Sequence, residues 1–142
     1  MTTIMLTVLG FLLAAGAAFM AFSYGGSAFD RSYDQSSAAS LISNGSSVSA
    51  AANMHMTQRG YFPANLRDVT LRGIYLPTEP TITGIGTSHA IVDERYEVAG
   101  IDHRICYEIN SELGQNGDVV TAGSRPGQMG CNSTDRVFYA AF

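Results

Sequence analysis

The first 29 residues of this 142-residue chain lack any charged side chain. All 12 acidic and 8 basic side chains lie between Asp30 and Arg136. A cleavable secretory signal needs a basic start, and the chain offers none. Lysine is absent altogether, so every positive side chain is an arginine, which by itself excludes nothing. Positive charge is scarce overall: the net charge is −4, the wrong sign for a nucleic-acid-binding surface. Only two cysteines occur, Cys106 and Cys131, with no Cys-x-x-Cys spacing, which argues against a zinc cage. No Gly-x-Ser-x-Gly elbow is present, so the abundant serines carry no hydrolase signature.

What the charge-free segment does contain is almost purely apolar. Ile4 to Tyr24 is a run of 21 residues broken only by small residues and hydroxyls. As a helix it reaches about 31 Å, roughly one hydrocarbon core. A signal peptide, a permanent membrane anchor, and a helix that waits in the membrane before packing elsewhere all have such a segment. Ala14, Ala15, Gly16, Ala17 and Ala18 would let neighbouring helices approach closely. Gly25-Gly26 is the weakest helical point, each glycine costing about 1 kcal/mol relative to alanine. The pair is expected to mark a bend, a melted segment or a linker.

From residue 30 to 58 the pattern predicts a second, amphipathic stretch of helix. Ala38, Leu41, Gly45, Val48, Ala52 and Met56 recur at steps of three and four, a narrow stripe suited to packing on a sheet. Seven serines between Ser36 and Ser49 oppose a continuous helix. The helix should stop near Gly60, and Pro63 fixes the turn that follows. Residues 61–80 read as loop, with a short turn at 65–69. Strands are expected at 81–85, 90–92, 96–99 and 137–142. Residues 103–113 place Ile105, Ile109 and Leu113 at spacing four, predicting a short helix that carries Cys106. Asp102 stands as its N-cap and Gly114 as its C-terminal glycine. Residues 114–133 read as polar and turn-rich. The whole is α+β: a long helix on a small antiparallel sheet. In an exported domain the two cysteines read as one disulfide, in a cytosolic one as free buried thiols.

The other constellations carry little chemistry. His55, His89 and His103 are scattered. Asp93-Glu94 and Glu108…Glu112 read as solvated faces. Gly84-Ile85-Gly86 lacks the helix start that a phosphate loop requires. Asn44-Gly45-Ser46 and Asn132-Ser133-Thr134 match the short glycosylation acceptor pattern. Phe19, Phe22, Tyr24, Phe29 and Tyr33 form an aromatic run, read as inter-subunit packing.

Taken in order, these features resemble a type IV pilin. The apolar run from Thr3 to Tyr24 resembles the family's N-terminal half-helix. Gln58-Arg59-Gly60-Tyr61-Phe62-Pro63 resembles the Gly-x-Tyr-Pro region where pilins leave the helix, and Gly73-Ile74-Tyr75-Leu76-Pro77 the stretch leading into the sheet. Arg104-Ile105-Cys106-Tyr107-Glu108-Ile109-Asn110, with the later Cys131, resembles the disulfide-bounded region of type IVb and conjugative pilins. One departure stands out: Met5 occupies the position where pilins usually carry Glu. A buried carboxylate is costly unless paired, so Met5 removes both a cost and a register signal.

The resemblance implies a ladle fold with a Cys106–Cys131 disulfide. It divides the chain into a filament-core helix at 1–24, a glycine bend at 25–29 and a head at 30–142. It implies a structural, non-enzymatic subunit of an extracellular filament serving adhesion, DNA transfer, motility or phage reception. Met1 would be the processed, N-methylated end, and Met5, Leu6, Leu9, Leu12, Leu13, Gly16, Phe19 and Met20 would pack the core. Gly25 and Gly26 would form a hinge. Copies of the chain itself would be the main partner, with a prepilin peptidase, an assembly ATPase and an inner-membrane platform. The chain would pass from the inner membrane to the cell surface. No cofactor, metal or nucleic acid is called for. The alternative is a minor pilin or type II secretion pseudopilin that primes or caps a filament, which Met5 favours. An anchored periplasmic enzyme is a third class, without a catalytic signature.

Overall fold

Residue 1 aside, helix leads the chain. In the computed structural model, which describes residues 2–70, 74–115 and 127–142, helix α1 covers Thr2–Arg59. Side chains are described along α1 at 10–20 and from 29 onward. The chain divides into two compact units, Met1–Tyr33 and Asp34–Phe142.

The backbone of α1 is helical through Gly25 and Gly26. The melted segment or linker expected there is not seen in the single chain, whose backbone stays helical. The glycine penalty of about 1 kcal/mol each is small against the helical turns on either side. The serine-rich stretch also stays helical, because its apolar stripe Ala38, Leu41, Val48 and Ala52 is buried in the core, and tertiary packing outweighs weak propensity. Some polar side chains here return to the helix's own carbonyls. Ser47 Oγ donates to the Ser43 carbonyl at 2.9 Å, Asn53 Nδ2 to Ser49 at 2.9 Å and Thr57 Oγ1 to Asn53 at 2.8 Å. These three side chains are satisfied without unwinding the helix.

Helix α1 stops at Gly60, whose φ of +83° is the left-handed step that ends a helix. Asn65 then caps helix α2, Leu66–Thr70. Its Oδ1 accepts from Asp68 N at 3.1 Å, and Asp68 Oδ2 reaches back to Asn65 N at 3.3 Å. This reciprocal pair is a capping box, and it makes the short turn expected at 65–69 a real helical turn that buries Leu66 and Val69.

Four antiparallel strands follow: β1 Ser88–Val92, β2 Arg95–Ala99, β3 Met129–Asn132 and β4 Val137–Ala141, in the order β1-β2-β4-β3. Asp93 and Glu94 both have positive φ, 48° and 60°, the conformation that a two-residue hairpin of type I′ demands. Helix α3, His103–Glu112, lies between β2 and β3 in the chain. Asp102 is its N-cap and accepts from Arg104 N at 2.9 Å. Gly114, with φ +69°, turns the chain back. Gly114 N donates to Ser111 and Gln115 N to Asn110, the paired bonds of a Schellman turn.

Two expectations about strands need correction. Residues 81–85 form a turn, with Ile85 N and Gly86 N both donating to the Ile82 carbonyl and Gly84 at φ +80°. The unexpected strand is β3, whose Met-Gly-Cys-Asn sequence has no alternating pattern. It exists because β4 pairs with one edge and α3 holds the other.

The head's core lies between α1 and the sheet. Asp34, Ala38, Leu41, Gly45, Val48, Ala52 and His55 are buried in strict steps of four and three. Met56, expected to end the stripe, is 38% exposed, and His55 takes its place, its ring flanked by Tyr61 and Tyr75 at 5.2 and 5.3 Å. A Cβ on Gly45 would stand 2.8 Å from Phe138 and 3.0 Å from Ala140, so the helix crosses β4 at backbone distance. Tyr96, Val98, Phe138 and Ala140 complete this layer.

Candidate functional site

Two places in the chain carry more than packing. The first is α1 from residue 10 to 20, where every residue is exposed. Phe11 is 80% exposed and Phe19 76%, and Leu12, Leu13 and Met20 lie open as well. A Cβ on Gly16 would meet nothing within 4 Å. A helix apolar on all sides has no solvated face to offer, so water is not its resting environment. Covering Phe11, Leu12, Leu13, Phe19 and Met20 is worth about 7–15 kcal/mol at ~1.5–3 kcal/mol per side chain.

Of the residues expected to pack a filament core, Leu12, Leu13, Gly16, Phe19 and Met20 thus stand together on an uncovered helix. Met1 lies outside the described residues, as do the side chains of Met5, Leu6 and Leu9. Among the described residues no helix is long and apolar enough to cross a membrane. The eleven described residues of the run reach about 16 Å of the ~30 Å required.

The second place is a clamp between α3 and β3. Cys106 and Cys131 are joined by a disulfide, with Cα atoms 5.2 Å apart. Asn110 lies one turn beyond Cys106 on the same face of α3 and is fully buried. Its Nδ2 donates to the Cys131 carbonyl at 2.8 Å, and its Oδ1 accepts from Cys131 N at 2.9 Å. The amide therefore pairs with Cys131 as a neighbouring strand would. The Schellman turn brings Gln115 round so that its Nε2 donates to the Met129 carbonyl at 2.9 Å. Sequence reasoning found Cys106, Cys131, Asp102 and Gly114 but missed Asn110 and Gln115. Asn110's spacing of four from Cys106 was the available signal.

The histidines do not converge. His55 Nδ1 donates to the Tyr61 carbonyl at 3.0 Å. His89 Nε2 donates to Glu79 Oε1 at 3.0 Å, while its Nδ1 accepts from the Tyr96 hydroxyl at 3.1 Å. Burial, reinforced by the Glu79 carboxylate, pushes the Tyr96 phenol up to about 12. This carboxylate–imidazole–phenol chain runs from an exposed Glu79 to a fully buried Tyr96 and ties residue 79 to the sheet. His103 is exposed at the start of α3. Among the described residues no group of histidines, cysteines and carboxylates is placed to hold a metal.

Asp93, Glu94 and Glu112 are exposed and Glu108 is half-buried. A groove of about 360 Å³ is lined by Ser40, Asn44 and Ser47 of α1 and residues 76–81, and Asn44 Nδ2 donates to the Thr81 carbonyl at 3.1 Å. One carboxylate, Glu79, lines it, with Oε1 bonded to His89. Asn44-Gly45-Ser46 is locked in α1, whereas Asn132 sits at the end of β3, with Nδ2 on Asp135.

Comparison with protein-family models, curated proteins and solved structures finds no match to this chain.

Proposed function

We propose that the chain is a non-enzymatic subunit of a type IV pilus-like filament, assembled by packing its N-terminal helix against copies of itself. The observation that carries this reading is the uncovered apolar helix at 10–20, in one chain with a disulfide-closed α+β head. Burying that helix supplies the driving force for association. A heterologous, non-closing contact between identical subunits generates a filament. Gly16 and its alanine neighbours allow the close approach such packing needs. The implied partners are further copies, a prepilin peptidase, an assembly ATPase and an inner-membrane platform. The implied route runs from the inner membrane to the cell surface, and the filament's use falls among adhesion, DNA transfer, motility and phage reception.

Met5 favours a second reading. Without the usual carboxylate, the chain fits a minor pilin or secretion pseudopilin that primes or caps a filament. Electron microscopy and mass spectrometry of material sheared from cells expressing the chain separate the two. Abundant filaments made of this one chain identify a main subunit. Filaments of another protein with traces of this one identify a minor component. A chain that stays in the membrane fraction with no filament at all overturns both.

A further inference from the structure

The clamp on β3 does more than hold a finished disulfide. Cys106 and Asn110 project from consecutive turns of α3 and address one residue, Cys131: the first through its sulfur, the second through its backbone N–H and carbonyl. Both backbone groups belong to a residue with no solvent exposure, so leaving them unpaired is costly. The amide grip needs no covalent bond and is available to the dithiol chain. Gln115 adds a third bond two residues along the same strand. A strand held at 129 and 131 by neutral amides presents the Cys131 thiol to Cys106 in a fixed register.

We propose that Asn110 is a positioning residue for oxidation, holding Cys131 opposite Cys106 before the sulfurs bond and thereby raising their effective concentration. In the reaction two thiols lose two protons and two electrons and form one S–S bond. The electrons pass to a small disulfide such as oxidised glutathione, which leaves as two thiols. The grip and the disulfide are then coupled, each favouring the other by the same factor. The clamp stands whether or not the chain assembles.

The test uses the full chain in mild detergent, equilibrated with reduced and oxidised glutathione and read by thiol alkylation and mass. Asn110→Ala should lower the dithiol–disulfide equilibrium constant at least about tenfold, within the usual range of coupling. Val69→Ala, which truncates a buried side chain on α2, should destabilise the head without moving that constant. A value within twofold of wild type for Asn110→Ala overturns the proposal, as does an equal fall in Val69→Ala. A second chain, Cys106→Ser with Cys131→Ser, tests the grip without any sulfur. Slow amide hydrogen exchange at position 131 in this chain is expected. Exchange at the rate of an open loop shows that the grip does not form without the disulfide and refutes its positioning role.

Discussion

Gly45 offers a test of how closely α1 is seated on the sheet. Replacing it with alanine has two opposed effects. Helix propensity improves by about 1 kcal/mol. Against this, the new methyl would lie 2.8 Å from Phe138 Cζ and 3.0 Å from Ala140 Cβ. Carbon atoms prefer about 3.5–4.0 Å, so the Phe138 ring must recede by roughly 0.7 Å or more. Phe138 is fully buried on β4, an inner strand paired on both sides, and has little room to move. Overpacking of this kind costs about 1–3 kcal/mol. The clash should win in Gly45→Ala by roughly 1 kcal/mol, and Gly45→Val should lose about 3 kcal/mol or more. Gly16→Ala is the internal control: its methyl meets nothing within 4 Å, so only the propensity gain remains. Urea unfolding of the detergent-held chain, followed by circular dichroism, measures all three. A Gly45→Ala midpoint at or above wild type would refute the seating of α1 directly on β4.

Other outcomes follow from the same contacts. Gly16→Leu should leave the head folded yet block assembly, which counting filaments on cells will check, and normal filament numbers would contradict a tight helical core. Asp102→Ala should cost about 1 kcal/mol through the lost cap. The backbone bond from Arg104, helped by the Arg104 and Arg136 charges, holds the Asp102 carboxyl below its usual range. Its contribution is therefore present above the ordinary carboxylate range and lost as pH falls through the lowered value, an acid-side loss that Asp102→Ala should not show. Tyr96 behaves in the opposite sense: with its phenol raised from 10.0 to about 12, stability should be intact below pH 10 and fall as pH rises toward 12. Tyr96→Phe should remove that alkaline component, and phenolate absorbance should lose its last-titrating group.

Much of the fold was legible because it was written in local chemistry. Asp102, Gly114 and the i, i+4 apolar positions of α3 act within a few residues of one another. The stripe from Ala38 to Ala52 has a period that only a one-sided helix explains. What failed had non-local causes. Strand β3 owes its conformation to β4 and to side chains from α3, and nothing in Met-Gly-Cys-Asn announces either. Residues 81–85 have the composition of a strand, but Gly84 turns them and Gly86 lies under Val98. The exchange of Met56 for His55 in the core was set by Tyr61 and Tyr75, which close that end of the helix. For the candidate site, the apolar helix was plain from composition, whereas Asn110's hold on Cys131 had only its spacing of four from Cys106 as a signal, and an asparagine on a helix is ordinarily a surface residue. At Gly25-Gly26, a helix-breaking tendency of about 2 kcal/mol in all leaves the backbone of the single chain helical; the hinge expected there belongs to the proposed filament.

The amide pairing of Asn110 and Gln115 with β3 also bears on what the sheet can do in a crowd. An open strand edge is a ready template for another strand, and proteins concentrated side by side risk cross-β association through it. Here the carbonyls of Met129 and Cys131 and the Cys131 N–H are already taken by side chains. No extended segment can add at those positions without first evicting an amide that fits as well. At those positions this end of the sheet is sealed against strand addition. In a filament of the kind proposed, contact between neighbouring heads along β3 would be confined to side chains, which can be remade and released, and kept off the backbone ladder, which once propagated is seldom undone.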